Sequence, residues 1–355
     1  MPIRSLLVLS IVTITACGDT TQTPSMDEGS PADAGETSSE DASDQPDLMA
    51  TEDVTADTSA PEDVDDVDSQ DGDSDTPSTI NGVESGAYTI THGGLERSYL
   101  LHIPDNLAAQ APLVYVFHGY TGSAMDIMSY SDMNRVADDN GFVVCYPQGT
   151  ADTYDNNFFN VGYDFHDEVD VDDVGFVRAL NSHLHQQLDL NLDAVFATGM
   201  SNGGEMSYLL ACEASDMVKA IAPVSGTMMK VWFDTCAPEG PIPVLEIHGT
   251  EDDVSYFDGD SLNNDGWGVY LDVPTIIAFW ADNAMLDLRE VSNLPNSVAS
   301  DGSRVIFERR WSQVSDVEVW LYQVEQGGHD WPGAWGNMDI DSSAEIWRFF
   351  SQSLD

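Results

Sequence analysis

The chain has 355 residues, with 63 acidic side chains against 11 basic ones and a formal net charge of −52. A surface this acidic repels polyphosphates and anionic headgroups, which excludes nucleic acid and charge-driven binding to a membrane face. The charge is unevenly spread: 20 of the 63 acids lie between Asp19 and Asp75, leaving 43 acids against 10 bases, a formal −33, for the remainder beyond the leader.

Residues 1–16, MPIRSLLVLSIVTITA, carry one early arginine and an apolar run too short to cross a bilayer and remain there, which reads as a secretory signal. The run ends in ITAC, which resembles the lipobox of bacterial lipoproteins. That resemblance implies cleavage before Cys17, lipidation of Cys17 and a membrane anchor at the cell surface, with a freely secreted extracellular protein as the alternative. Residues 17–82 form the next segment, an acidic Ser/Thr/Pro-rich linker without an aromatic, Lys or Arg. Such a segment cannot bury enough apolar surface to offset its ordering entropy, so it is expected to be a disordered tether. Residues 83–355 hold every tryptophan of the chain and are long enough for one large domain.

Within that domain GAYTITHGGLERSYLLHIP alternates apolar and polar residues around Gly93-Gly94 and predicts a β-hairpin. APLVYVFHG, GFVVCYPQG, AVFATG, IPVLEIHG and VEVWLYQV are apolar runs of the kind that parallel strands buried on both faces require. Between them, VDDVGFVRALNSHLHQQL and VPTIIAFWADNAM have helical spacing with an acid or Pro near the start, and DSSAEIWRFFSQSL closes the chain as a helix. Strands alternating with helices predict an α/β sandwich around a mainly parallel sheet.

Two stretches stand outside this alternation. Residues 149–170 form a long loop of aromatics and acids, a length that is usually functional. In residues 257–272, Ser261, Asn263, Asp265, Gly266 and Asp272 fall loosely on calcium-loop spacing, but the acidic first ligand and the bidentate Glu are missing, so the loop reads as a polar turn with no metal. An exported protein meets oxidising conditions, so Cys145, Cys212 and Cys236 should make one bridge and one buried thiol. Cys145 lies inside an apolar strand, which pairs Cys212 with Cys236.

The chemistry starts at ATGMSNGGEM, where Ser201 stands between a strand and a helix with Gly199 and Gly203 on either side. A turn that abrupt lifts a serine oxygen clear of the backbone and aims the next N–H, that of Asn202, at a bound carbonyl. On this reading the Asn202 side chain is immaterial. A serine needs a base. Among the eight histidines, His183 and His185 are helical, His92 and His102 lie near the hairpin, His166 is in the acidic loop, and His118 and His248 close strands and should organise turns. His329, in EQGGHDWPG after the last strand, is placed to reach the serine. The orienting acid falls among Glu251, Asp252 and Asp253, directly after IPVLEIHG, and spacing does not choose between them. Serine, acid, histidine is the chain order of α/β-hydrolases. A second oxyanion donor is expected after LVYVFHG, from the Tyr120 N–H.

VFHGYTGSA, VDDVGFVRAL, VFATGMSNGGEMSYLLACE, IAPVSGTM, PIPVLEIHGTEDDV, VPTIIAFWA and GGHDWPG together resemble, in order and over about residues 85–350, a secreted esterase family. It includes poly(3-hydroxybutyrate) depolymerases and feruloyl and acetylxylan esterases. The resemblance implies a three-layer α/β-hydrolase, Ser201 as nucleophile, Asp252 as acid, His329 as base and Trp331 lining the acyl pocket. It also implies a carboxylic ester substrate, polymeric esters included (hydroxybutyrate polyesters, or feruloyl and acetyl polysaccharide esters), and no cofactor. The chain departs from the family pattern at DNAML after AFWA, where relatives continue to Gly-Cys, and at Phe159-Asn160, where a Trp-Asn pair is expected. The competing readings are a peptidase or acyltransferase with the same triad, a tethered binding protein without activity, and an adhesin acting through the acidic tract.

Overall fold

The computed structural model describes residues 80–105, 107–166 and 169–354. The expected signal 1–16, Cys17 and all of the linker before residue 80 lie outside the described residues. The described chain begins ahead of the boundary expected at residue 83. Ile80 bridges to Val83 and packs against the core, and Asn81 Nδ2 donates to the Gln187 carbonyl at 2.9 Å.

In chain order the strands are β1 (Gly86–His92), β2 (Leu95–His102), β3 (Leu113–Phe117), β4 (Val143–Pro147), β5 (Thr150–Ala151), β6 (Asn157–Phe158), β7 (Val195–Met200), β8 (Ala220–Val224), β9 (Val244–Gly249), β10 (Leu288–Asn293), β11 (Arg304–Trp311) and β12 (Val319–Glu325). The helices are α1 (Ala124–Ser131), α2 (Met133–Asn140), α3 (Asp173–Leu188), α4 (Asn202–Glu213), α5 (Lys230–Phe233), α6 (Val273–Asn283) and α7 (Ser342–Phe350). One ten-stranded sheet runs β1-β2-β4-β3-β7-β8-β9-β12-β11-β10, and β5 and β6 form a separate ribbon. From β4 to β12 every pairing is parallel, while β1 and β2 at one end and β10 and β11 at the other add antiparallel.

The continuous apolar runs follow from burial on both faces. Along β3, Leu113, Tyr115 and Phe117 enter one core and Val114 and Val116 the other, the period of two that a pleated strand imposes. The first core packs α3, α4 and α6 on the sheet through Phe176, Leu180, Met206, Ile277 and Trp280; the second packs α1, α2 and α7 through Ile127, Val136, Ile346 and Phe350. This is the expected three-layer α/β sandwich. Acids start the helices as expected: Asp172 accepts from Gly175 N–H, Asp272 from Thr275 N–H and Asp341 from Ala344 N–H, each placing negative charge at a helix N-terminus. Asp272 is thereby engaged, and Asn263 Oδ1 accepts from Gly268 N–H. Two oxygens of the calcium-like pattern thus serve the loop's own backbone. Cys212 and Cys236 are joined, and Cys145 is a buried free thiol.

Two features go beyond the sequence reading. β8 is a central strand that contains Pro223, and only Ile221 and Val224 register with β9; proline ordinarily argues against a central strand. The β10–β11 hairpin extends the sheet edge, with β10 exposed along nearly its whole length, so it carries no apolar alternation to read.

Candidate active site

Ser201 follows β7 and caps α4 at φ 56 and ψ −122, a conformation that costs energy for any residue with a Cβ and persists only where the surroundings impose it. The surroundings are glycines. A Cβ on Gly199 would lie 2.6 Å from the Phe117 carbonyl oxygen, and one on Gly203 would lie 2.2 Å from the same atom. Only glycine lets α4 start this close to β3. The first helical bond of α4 runs from Glu205 N–H to Ser201 O at 2.9 Å. A helix leaves its leading N–H groups without intrahelical partners, and Asn202 is the first residue of α4.

Across the turn, Gly119 sits against Ser201: a Cβ there would be 3.4 Å from Ser201 Cβ and 3.9 Å from Oγ. Beyond Tyr120, Thr121 N–H donates to Asn157 O at 2.8 Å and Gly122 N–H to Gly119 O at 3.0 Å. His118 organises this turn as expected. Its Nδ1 faces Gly119 O at 2.8 Å and its Nε2 accepts from Gly149 N–H at 3.0 Å, which places the proton on Nδ1. Burial pushes the imidazole down to about 4, so it is neutral at physiological pH.

Of the three candidate acids after β9, Asp252 is the one the fold turns inward; it is 4 % exposed, while Glu251 and Asp253 are exposed. Its Oδ2 lies 2.8 Å from His329 Nδ1, and its Oδ1 accepts from Val254 and Ser255 N–H at 2.9 and 2.8 Å. Burial pushes this carboxyl up, but the hydrogen bond from His329, the charges of His329 and His248, and the Val254 N–H outweigh it and hold it below the usual carboxylate range. The bond to Asp252 fixes the His329 tautomer with Nδ1 protonated, which leaves Nε2 without the proton. Two bonds tie the serine and histidine ends together through β8: Ser201 N–H to Val224 O at 2.9 Å, and Ser225 Oγ to Asp330 O at 3.4 Å.

Ser201 opens into a shallow depression bounded by Tyr163, Glu205, Val254, Trp267 and Tyr270. One wall is the 149–170 loop. The Asn202 side chain binds both polar groups of one residue in it, accepting Phe159 N–H at 2.7 Å and donating to Phe159 O at 3.0 Å. This side chain, read from the sequence as immaterial, is fully buried and holds the wall to the Ser201 turn. Asn160 faces Asp173 and the carbonyls of Val169 and Val171 and braces the same loop. Asp152, buried inside it, accepts from Tyr120 OH at 2.7 Å and pairs with His166 at 3.0 Å.

The expectation for Trp331 is corrected. The indole is 1 % exposed, belongs to the second core, donates from Nε1 to Ser343 Oγ at 3.2 Å and borders a surface cleft with Tyr130 and Asp341. It packs α7 and does not bound the depression at Ser201, because the chain turns inward directly after His329. Two buried carboxyls escaped the sequence reading, one of them paired with His248, which was expected only to organise a turn. Glu205 lies beneath Ser201 and accepts from Tyr163 OH at 2.5 Å, and Glu246 and His248 on β9 face each other at 2.8 Å. The available signal was a glutamate inside the apolar run PVLEIH, a position where a carboxyl is kept only with partners.

A mainly parallel sheet packed on both faces by helices, with a serine at the sharp β7–α4 turn and an acid and histidine after later strands, defines an α/β-hydrolase. The sequence profile described as esterase PHB depolymerase matches residues 97–252, a span that contains Ser201 and Asp252. A putative esterase, NocK, of Nocardia uniformis subsp. tsuyamanensis is 31 % identical over 258 residues, 70 % of this chain and 74 % of that protein. A probable feruloyl esterase C of Aspergillus oryzae is 31 % identical over 193 residues, 52 % of this chain and 62 % of that protein. The chain spans less than two thirds of this and other matched feruloyl and acetylxylan esterases. The solved acetyl xylan esterase from Aspergillus awamori superposes with a TM-score of 0.52 at 15 % identity, over 75 % of this chain and 99 % of that one, a likeness of fold. The chain belongs to the esterase PHB depolymerase family and is a carboxylic ester hydrolase.

Proposed function

We propose that the chain hydrolyses esters of short acyl groups through an acyl-enzyme on Ser201. The observation that carries the mechanism is the 2.8 Å bond between Asp252 and His329 Nδ1, on the same sheet edge as a serine held at φ 56. Ser201 Oγ attacks the ester carbonyl carbon while its proton passes to His329 Nε2. The oxyanion accepts hydrogen bonds from the N–H groups of Asn202 and Tyr120. Collapse breaks the bond to the alcohol oxygen, which takes the proton from Nε2, and water then repeats the sequence on the acyl-enzyme with His329 as base.

The depression encloses only about 10 Å3 of free space, which supports a short acyl group, acetyl or 3-hydroxybutyryl, over a bulky one. The aromatic rim of Tyr120, Phe165 and Trp267 suits the carbohydrate or polyester chain that carries the ester. The Cys212–Cys236 bridge supports an oxidising location outside the cytoplasm, with Cys17 as the anchor. The test is p-nitrophenyl acetate hydrolysis by wild type and Ser201→Ala, beside acetyl, 3-hydroxybutyryl and feruloyl esters. Ser201→Ala loses several orders of magnitude of turnover and leaves fluorophosphonate labelling absent. Retained turnover overturns the nucleophile, and preference for feruloyl esters overturns the acyl size.

A further inference from the structure

His248 is completely buried, and both of its ring nitrogens face acceptors. Nε2 lies 2.7 Å from the Ser255 carbonyl oxygen, an atom that can only accept, so Nε2 carries a proton. Nδ1 lies 2.8 Å from Glu246 Oε1. One further proton therefore sits between that carboxyl and that nitrogen, on one or the other.

Hydrogen-bond counting assigns it. Burial pushes the Glu246 carboxyl up to about 7, but it faces His248 and accepts from Tyr208 OH on α4 at 2.8 Å and from the Gly226 N–H, so its oxygens are served by donors, which favours the carboxylate. The proton then belongs to Nδ1. Nε2 also lies 3.5 Å from Oδ2 of Asp252, the same oxygen that holds His329. The groups facing the ring are Glu246 on its own strand, Tyr208 and Glu205 from α4, Asp252 and the Phe257 ring from the following loop, and His329 beyond Asp252.

We propose that His248 is a positioning residue held as a buried imidazolium by Glu246, and that its charge balances Asp252 from the side opposite His329. The catalytic carboxylate is thus shared between two imidazoles, one reacting and one fixed. Burial opposes the charge on His248, but Glu246, Asp252 and the Ser255 carbonyl outweigh it and raise its proton affinity. The fixed cation draws on the same Asp252 charge that faces His329 Nδ1.

This inference rests on the triad proposed above, and the Ser201→Ala control is scored first so that the two can fail separately. The variant is Glu246→Gln, whose amide can donate to a neutral Nδ1 and still accept from Tyr208, removing the charge while keeping both of those bonds. The acid limb of the kcat/KM profile should move up by about one pH unit, with the plateau within about threefold of wild type. A merely structural role lowers the plateau and leaves the limb in place. Independently, 15N spectra of histidine-labelled protein at pH 7 should show both His248 nitrogens protonated in wild type and one in Glu246→Gln. An unmoved limb, or a singly protonated His248 in wild type, overturns the proposal. The wild-type spectrum decides alone if the variant does not fold.

Discussion

Replacing Gly203 with alanine tests whether the nucleophile turn owes its geometry to the close approach of α4 to β3. The added Cβ would stand 2.2 Å from the Phe117 carbonyl oxygen, 2.5 Å from its carbon and 2.8 Å from the His118 oxygen, all backbone atoms with no rotamer to move. Ordinary contact begins near 3.4 Å, so α4 must retreat by about 1 Å. Overpacking of this kind costs about 1–3 kcal/mol, and at about 2 °C per kcal/mol for a domain of this size the melting temperature should fall by about 2–6 °C. The retreat carries Ser201 and the Asn202 N–H away from Gly119 and His329, and a displacement of about 1 Å at reacting atoms costs about a hundredfold in rate. The assay is kcat/KM on p-nitrophenyl acetate with a thermal melt. Gly86→Ala is the control, because its Cβ meets only the Tyr88 ring at 3.9 Å. A Gly203→Ala enzyme with wild-type kcat/KM and melting temperature would refute the reasoning.

The Cys212–Cys236 bridge closes a separation of 24 residues at the far end of α4. Cys212→Ala/Cys236→Ala should lose about 3 kcal/mol of stability and keep its kcat, and an unchanged urea midpoint would remove the bridge from the stability account. Burial pushes the Glu205 carboxyl from 4.5 up to about 7. Between those values the folded chain keeps a proton that the unfolded chain has released, so this group makes stability fall as pH rises. His118, pushed down by burial, acts with the opposite sign between about 4 and 6.5, so a comparison of wild type with Glu205→Gln isolates the carboxyl. Urea titrations at pH 5, 6 and 8 should show Glu205→Gln gaining on wild type by up to about 3 kcal/mol at pH 8, and parallel pH slopes would contradict the assignment.

The residues that announced themselves were those whose chemistry is bound to local chain geometry. Ser201 stood out because a sharp strand-to-helix turn needs glycine at both 199 and 203, and β3, β4 and β7 because strands buried on both faces need unbroken apolar runs. Asp252 did not emerge from spacing: Glu251 and Asp253 are equivalent neighbours until the turn after β9 sends one inward, and it was the family resemblance that selected it. β8 was hidden by Pro223, whose missing N–H falls where the ladder to β9 is already interrupted. Asn202 and the Glu246–His248 pair were hidden for a different reason. Their partners are remote in the chain, Phe159 lying 43 residues from Asn202, or are oriented only by the packed sheet, so no local pattern encodes them.

The bond pair between Asn202 and Phe159 also bears on how the cleft admits its substrate. One side chain, rooted at the nucleophile, satisfies both halves of a peptide in the opposite wall, and Trp232 Nε1 fastens the next part of that wall at Val161 O, 2.8 Å away. Wall and nucleophile therefore move as one piece, like the fixed jaw of a caliper. Selectivity is exercised by a gap that is set before the ester arrives, and the ordering cost of closing a jaw around each substrate is not incurred at every turnover.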